Sequence, residues 1–141
     1  KMAIHDGRML GEFLRAALQG EPLVVDGDGS QTRSTCYVDD LIAGLLAMMD
    51  AGEKVRDDVI NLGNPDEHTV LDFAQTAIKA ARSNSTIEHK EARPDDVARR
   101  KPDINKAQKL LRWEPKVSLE DGLSRTIAWM KVKLAAQQRG E

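Results

Sequence analysis

Three stretches of this chain place arginine where a guanidinium could grip an anion. The first is Asp26-Gly27-Asp28-Gly29-Ser30-Gln31-Thr32-Arg33. Its glycines let backbone approach a ligand closely, and Arg33 could give a forked, two-point contact to a phosphate. The same segment also reads as a plain hairpin turn with a surface Arg, since Gly-rich turns are common. The second stretch runs from Asp95-Asp96 to Arg99-Arg100-Lys101-Pro102-Asp103. Arginines on a loop beside a helix start suit a diphosphate, because the helix N-terminus adds partial positive charge. Equally, such a run can be solvated surface that pairs with its own Asp residues. The third is His5-Asp6-Gly7-Arg8. An Arg in a first helical turn is slightly disfavoured by the dipole, which an anionic ligand would explain; a simple exposed Arg is the other reading.

Other chemistries lack their residues. A calcium loop fails at Ser30 and Gln31, and Tyr37 stands where the closing Glu belongs. Cys36 is the only cysteine, so an internal disulfide and a Cys-rich metal site are both excluded, and His5, His68 and His89 have no metal-ligand spacing. No G-x-G-x-x-G fingerprint follows a strand. Tyr37 has Leu41 four residues on, so there is no Tyr-x-x-x-Lys pair. The residues offer binding chemistry, no metal site and no evident catalytic centre.

Composition narrows the partners. The 141 residues carry a net charge of −2 with cations and carboxylates interleaved, unlike the basic stripe of a nucleic-acid binder. No apolar run reaches the length of a membrane span. With no evident leader and one cysteine, a reducing, cytosol-like compartment is expected. The Lys1 start leads us to expect a piece of a longer protein or a trimmed one.

The elements that must position these arginines follow from periodicity. Residues 6–19 predict a helix with Met9, Leu10, Phe13, Leu14, Ala17 and Leu18 on one face, Asp6 as N-cap and Gly20 then Pro22 as the stop. Leu23–Val25 predicts a strand, residues 26–30 a turn, and Thr35–Val38 a second strand. Asp39 or Asp40 then caps a helix carrying Leu41, Ile42, Leu45, Leu46, Met48 and Met49, so apolar that burial on more than one side is expected. Residues 52–58 read as a polar loop and Val59–Leu62 as a strand. Thr69 with Asp72 forms a capping-box pattern ahead of a helix with Val70, Phe73, Ala77 and Ala81 inward. Thr86–His89 predicts a strand and residues 90–101 an exposed loop. A short helix starts at Pro102-Asp103, with Ile104, Ala107, Leu110 and Leu111 inward, and stops at Trp113-Glu114-Pro115. Ser118 with Asp121 opens a long last helix striped with Leu123, Ile127, Met130 and Leu134. About five helices and three or four short strands are too little strand for a self-sufficient parallel sheet, as befits a lobe leaning on a partner domain.

Taken together, HDGR, GEPLVV, DGSQTR, YVDDLIAGL, INLGNPDEHTVLDFA, RPDD, RRKPDINKAQKLLRWEP and SLEDGLSRTI stand in one order. That order resembles the carboxy-terminal half of UDP-glucuronate decarboxylases (UDP-xylose synthases), which are NAD-dependent epimerase/dehydratase-type members of the extended short-chain dehydrogenase/reductases. The resemblance covers essentially the whole chain. It implies an α/β fold: residues 1–141 as a single, mostly helical sugar-nucleotide-binding lobe, closing over UDP-glucuronate held against NAD in an amino-terminal Rossmann domain that is absent here. In that family C4 of the sugar is oxidised, CO2 leaves the β-keto acid and the hydride returns. By motif match, Arg8, Arg33 and Arg100 would contact the UDP moiety, Gln31 would line the nucleotide pocket, and Arg99 is a further candidate. The resemblance also implies a homodimeric parent, cytoplasmic by default or of the membrane-anchored Golgi type. Family members usually carry Tyr at the position of Asp26, an aromatic at Thr35 and Gln at Cys36; Asp26 would set an acid near bound phosphate or uridine. Two other functions stay open: a 4-epimerase or 4,6-dehydratase lobe, and a non-catalytic binding module. Apolar surface is expected where the missing half would dock.

Overall fold

A computed structural model describes residues 8–138. It is a mixed α/β structure. In chain order come α1 (Met9–Gln19), β1 (Leu23–Asp26), β2 (Thr32–Arg33), α2 (Val38–Ala51), a 3-10 turn (Gly52–Val55), β3 (His68–Thr69), α3 (Val70–Ala81), β4 (Ile87–Lys90), α4 (Asn105–Leu111) and α5 (Leu119–Gln138). β1 and β4 pair in parallel, Leu23 opposite Ile87 and Asp26 opposite Lys90. β2 pairs antiparallel with β3, Thr32 opposite Thr69. On its other side Thr32 bridges in parallel to Arg99.

The core lies where helical periodicity places it. Phe13, Leu14, Ala16 and Ala17 of α1, Phe73, Ala74 and Ala77 of α3, and Leu123, Ile127 and Met130 of α5 pack on Leu23 and Val25 of β1. Burying each large side chain among them contributes roughly 1.5–3 kcal/mol. Gly20, left-handed at φ 73°, ends α1. The Thr69–Asp72 capping box closes in both directions, Thr69 N–H to Asp72 Oδ2 at 2.9 Å and Asp72 N–H to Thr69 Oγ1 at 3.0 Å. At α5, Asp121 N–H donates to Ser118 Oγ at 3.2 Å.

Several expectations change. Residues 35–37 form no strand; the pairing falls on Thr32–Arg33, where the partners His68–Thr69 lie, and Val38 already opens α2. Val59–Leu62 also forms no strand, having no ladder partner among the described residues; Ile60 and Leu62 instead pack beside Ile104, Ala107 and Trp113. Neither Asp39 nor Asp40 caps α2, whose N-cap position is Tyr37. Asp40 is buried because it serves a distant loop: its Oδ2 accepts Lys116 N–H at 3.0 Å and Val117 N–H at 2.9 Å, while its carbonyl accepts Trp113 Nε1–H at 2.9 Å. α2 is not buried on several sides. Val38, Leu41, Ile42, Leu45, Leu46 and Met49 are all exposed, and only Asp40 and Gly44 are buried. Gly44 is the contact point, since a Cβ there would sit 2.9 Å from Leu62 Cδ2 and 3.0 Å from Trp113 Cε2. Residues 52–55, read as loop, make a 3-10 turn that buries Val55. α4 starts at Asn105, not at Pro102, with Asp103 Oδ1 accepting Asn105 N–H, and its Leu110 is exposed. The proposed Asp6 cap lies outside the described residues.

Candidate functional site

Two short segments far apart in sequence become neighbours at β2. Gly29 makes this possible: it is left-handed at φ 77°, and a Cβ would meet Val25 Cγ1 at 2.9 Å and Leu71 Cβ at 3.2 Å. The turn is fastened to the start of α3, with Leu71 N–H to Gly29 carbonyl at 3.1 Å and Val70 N–H to Gln31 carbonyl at 3.0 Å. The loop before α4 then runs alongside, Thr32 N–H to Ala98 carbonyl at 2.9 Å and Arg100 N–H to Thr32 carbonyl at 3.3 Å.

The result is a cleft of about 460 Å³ bounded by α1, β1, β2 and the 90–100 loop. Gln31, Arg33, Arg100 and Asp26 all line it. The charged lining consists of five cations (Arg15, Arg33, Lys90, Arg93, Arg100) against three carboxylates (Glu12, Asp26, Asp96), an excess that suits an anion. Arg33 is mostly buried; it donates to Val97 carbonyl at 2.6 Å and Thr32 carbonyl at 2.7 Å, and pairs with Asp96. Gln31 Nε2 donates to Asp26 carbonyl at 3.0 Å and Asp96 Oδ2 at 3.3 Å. Among the described residues the Arg100 guanidinium has no hydrogen-bond or ion-pair partner. Its charge faces the cleft uncompensated by a direct contact.

Asp26, the acid where the resemblance leads one to expect an aromatic, is compensated: Lys90 Nζ lies 2.9 Å from one oxygen and Arg93 Nε 2.7 Å from the other. Arg8 is exposed at the N-cap position of α1. The helix residues after it, Met9, Glu12, Phe13 and Ala16, line the cleft, while Arg8 itself is outside that lining. Arg99 turns the other way, toward Glu67, because successive side chains of an extended segment point to opposite sides. Lys90 and Arg93 are cleft residues that sequence reasoning did not single out. The RPDD segment, Arg93–Asp96, carried that signal for Arg93 alone, hidden inside a charge run.

Titration follows contacts. The Arg99 guanidinium, with lesser help from Thr32 and Lys101, holds the Glu67 carboxyl down to about 2. Burial, and to a smaller degree Asp40, pushes the Cys36 thiol up, so it is no ready nucleophile. No group of three or more His, Cys, Asp or Glu among the described residues could hold a metal. The turn after β1 leads into β2 and not into a helix, so the described residues contain no strand–glycine turn–helix cradle for a dinucleotide. No described helix is long and apolar enough to cross a membrane.

Comparison with known proteins gives a consistent picture. The family model for GDP-mannose 4,6 dehydratase matches residues 8–126. UDP-glucuronic acid decarboxylase 1 of Danio rerio is 45% identical over 141 residues, all of this chain and 33% of that protein. UDP-glucuronic acid decarboxylase 2 of Arabidopsis thaliana is 44% identical over 139 residues, 99% of this chain and 31% of that protein. The chain thus spans about a third of the length of these relatives. Among solved structures, an epimerase of Methanothermobacter thermautotrophicus superposes with a TM-score of 0.86 at 31% identity, covering 94% of this chain and 39% of that one. The UDP-glucuronic acid 4-epimerase of Bacillus cereus, solved with UDP-glucuronic acid and NAD, superposes with a TM-score of 0.81 at 30% identity, covering 89% and 40%. The match of the family model over most of the chain settles its membership: this chain belongs to the GDP-mannose 4,6 dehydratase family.

Proposed function

We propose that this chain is the sugar-nucleotide-binding part of an NAD-dependent UDP-glucuronate decarboxylase. The observation that carries the reading is the convergence of Gln31, Arg33 and Arg100 on one cation-rich cleft. The UDP diphosphate, with about two negative charges, would receive charge-assisted bonds from Arg33 and Arg100. Arg33 would exchange its pairing with Asp96 for the phosphate, and Gln31 would face the nucleotide. Arg8, at the N-cap position of α1, and Arg99, turned toward Glu67, stand outside the cleft lining. Binding energy gathered there, remote from the reacting sugar, positions C4 and the carboxylate.

The rest of the work belongs to another part of the protein. NAD supplies hydride transfer in this reaction; the described residues form no strand–glycine turn–helix cradle, and we assign NAD, the catalytic groups and homodimer contacts to an amino-terminal domain. Two facts support that division: relatives are about three times longer, and α2 exposes an apolar face that a second domain would cover. The solved epimerases favour a second reading, a 4-epimerase lobe, on this same cleft.

Incubating the full-length protein with UDP-glucuronate and NAD distinguishes the two. A decarboxylase releases CO2 and yields UDP-xylose. A UDP-hexuronate epimer without CO2 would replace this reading with the second.

A further inference from the structure

Arg99 and Arg100 are adjacent, yet one faces away from the cleft and the other lines it. Something must fix which is which, because the 91–101 segment is exposed throughout and contributes nothing to the main core. The fixing contact is on the far side of β2. Glu67 Oε1 accepts from Arg99 Nε at 2.7 Å and Oε2 from Arg99 Nη2 at 2.5 Å, a two-point fork. The same Oε1 accepts from Thr32 Oγ1 at 2.9 Å, and Lys101 Nζ lies 3.5 Å from Oε2. Glu67 is itself mostly covered, whereas Arg99 is largely exposed. Thr32 is the residue that bridges to Arg99 in the backbone. Glu67 therefore holds both partners of that bridge by their side chains.

We infer that Glu67 is a positioning residue: by clamping Arg99 and Thr32 on one side of β2, it holds Arg100 on the other side, in the anion cleft beside Arg33. An exposed ion pair adds little to stability, but a fork between a planar guanidinium and a carboxylate fixes direction. In an extended segment, direction at one residue dictates direction at the next. The carboxylate never touches the ligand; it acts through the register of residues 98–101. This inference rests on the reading of the cleft as a UDP site.

The test is a thermodynamic cycle of UDP affinity in the full-length protein, by isothermal titration. Glu67→Ala should weaken UDP binding about tenfold, and Arg99→Ala should reproduce the loss. In an Arg100→Ala background, Glu67→Ala should cost nothing further, since its effect passes through Arg100. A general loosening of the fold would lower affinity equally in both backgrounds, and that result would overturn the inference, as would an unchanged affinity for Glu67→Ala alone. If Glu67→Ala does not fold, Glu67→Gln, which can still accept from the Thr32 hydroxyl, runs the same cycle by the same criterion. If Arg100→Ala by itself binds UDP like the parent, the UDP reading fails and takes this inference with it.

Discussion

α2 and α3 are both rich in apolar residues, and the fold treats them oppositely. α3 repeats its apolar residues at 3.6-residue spacing, and Val70, Phe73, Ala74 and Ala77 are buried against α1 and α5. α2 has apolar residues around most of its circumference, and it contacts its neighbours through Gly44 and Asp40 while six large apolar side chains face outward. Apolar content predicted burial of α2 on more than one side, and within this chain those large apolar residues stay exposed. A helix with one apolar stripe is satisfied by one neighbour, whereas one apolar on two sides needs two.

The contrast can be tested by substitution. Phe73→Ala empties the centre of the α1–α3–α5 core and should destabilise the fold by about 3–5 kcal/mol, read by denaturant unfolding. Asp40→Ala should cost about 1–3 kcal/mol by leaving the Lys116 and Val117 N–H groups unpaired, although it sits on the helix whose large apolar side chains face outward. On the outer face of α2, Leu45→Ser and Leu46→Ser should each change the unfolding free energy of this chain by less than about 0.5 kcal/mol while reducing self-association in sedimentation. A loss comparable to that of Phe73→Ala would mean that this face is covered within the chain.

Acid gives a smaller and more local effect. Glu67 titrates in the folded state near 2 in place of its ordinary 4.5. Its folded pKa is depressed, so the stability it contributes is present above the usual carboxylate range and lost as pH falls from about 4.5 toward about 2. Glu67→Gln should flatten the acid limb of a melting-temperature profile in that window and leave the neutral region nearly unchanged; an acid limb identical to the parent's would contradict the Glu67–Arg99 clamp.

Much of this was legible from residue spacing. The α1, α3 and α5 stripes, the Thr69–Asp72 box, the Gly20 stop and the β1 and β4 strands all follow from local pattern, because local pattern alone determines which face is apolar. What could not be read depended on distant partners. Thr35–Val38 and Val59–Leu62 have strand-like residues, but strands exist only where a ladder partner lies, and for β2 that partner is His68–Thr69. Asp40 looked like a cap because a carboxylate at a helix start usually is one, and the Lys116–Val117 loop that claims it is over seventy residues away. In the cleft, the glycine turn pointed to Arg33, whereas Gln31 was named only through the resemblance. The charge run alone did not separate Arg99 from Arg100; the resemblance named Arg100 as the UDP contact, and the bridge to Thr32 supplies the alternation that turns Arg99 away. Lys90 was hidden because its cleft role depends on the pairing of β1 with β4, which sets Asp26 opposite Lys90, and Arg93 because it reaches Asp26 from the loop after β4.

The central claim is that Arg33 and Arg100 together hold a diphosphate, and calorimetric titration with UDP alongside uridine tests it most directly. The account predicts that Arg33→Ala and Arg100→Ala each weaken UDP by tenfold or more, the loss of about 1.5–3 kcal/mol expected for a hydrogen bond to a charged group, and leave uridine affinity unchanged. Equal UDP affinity in the parent and both variants would contradict it.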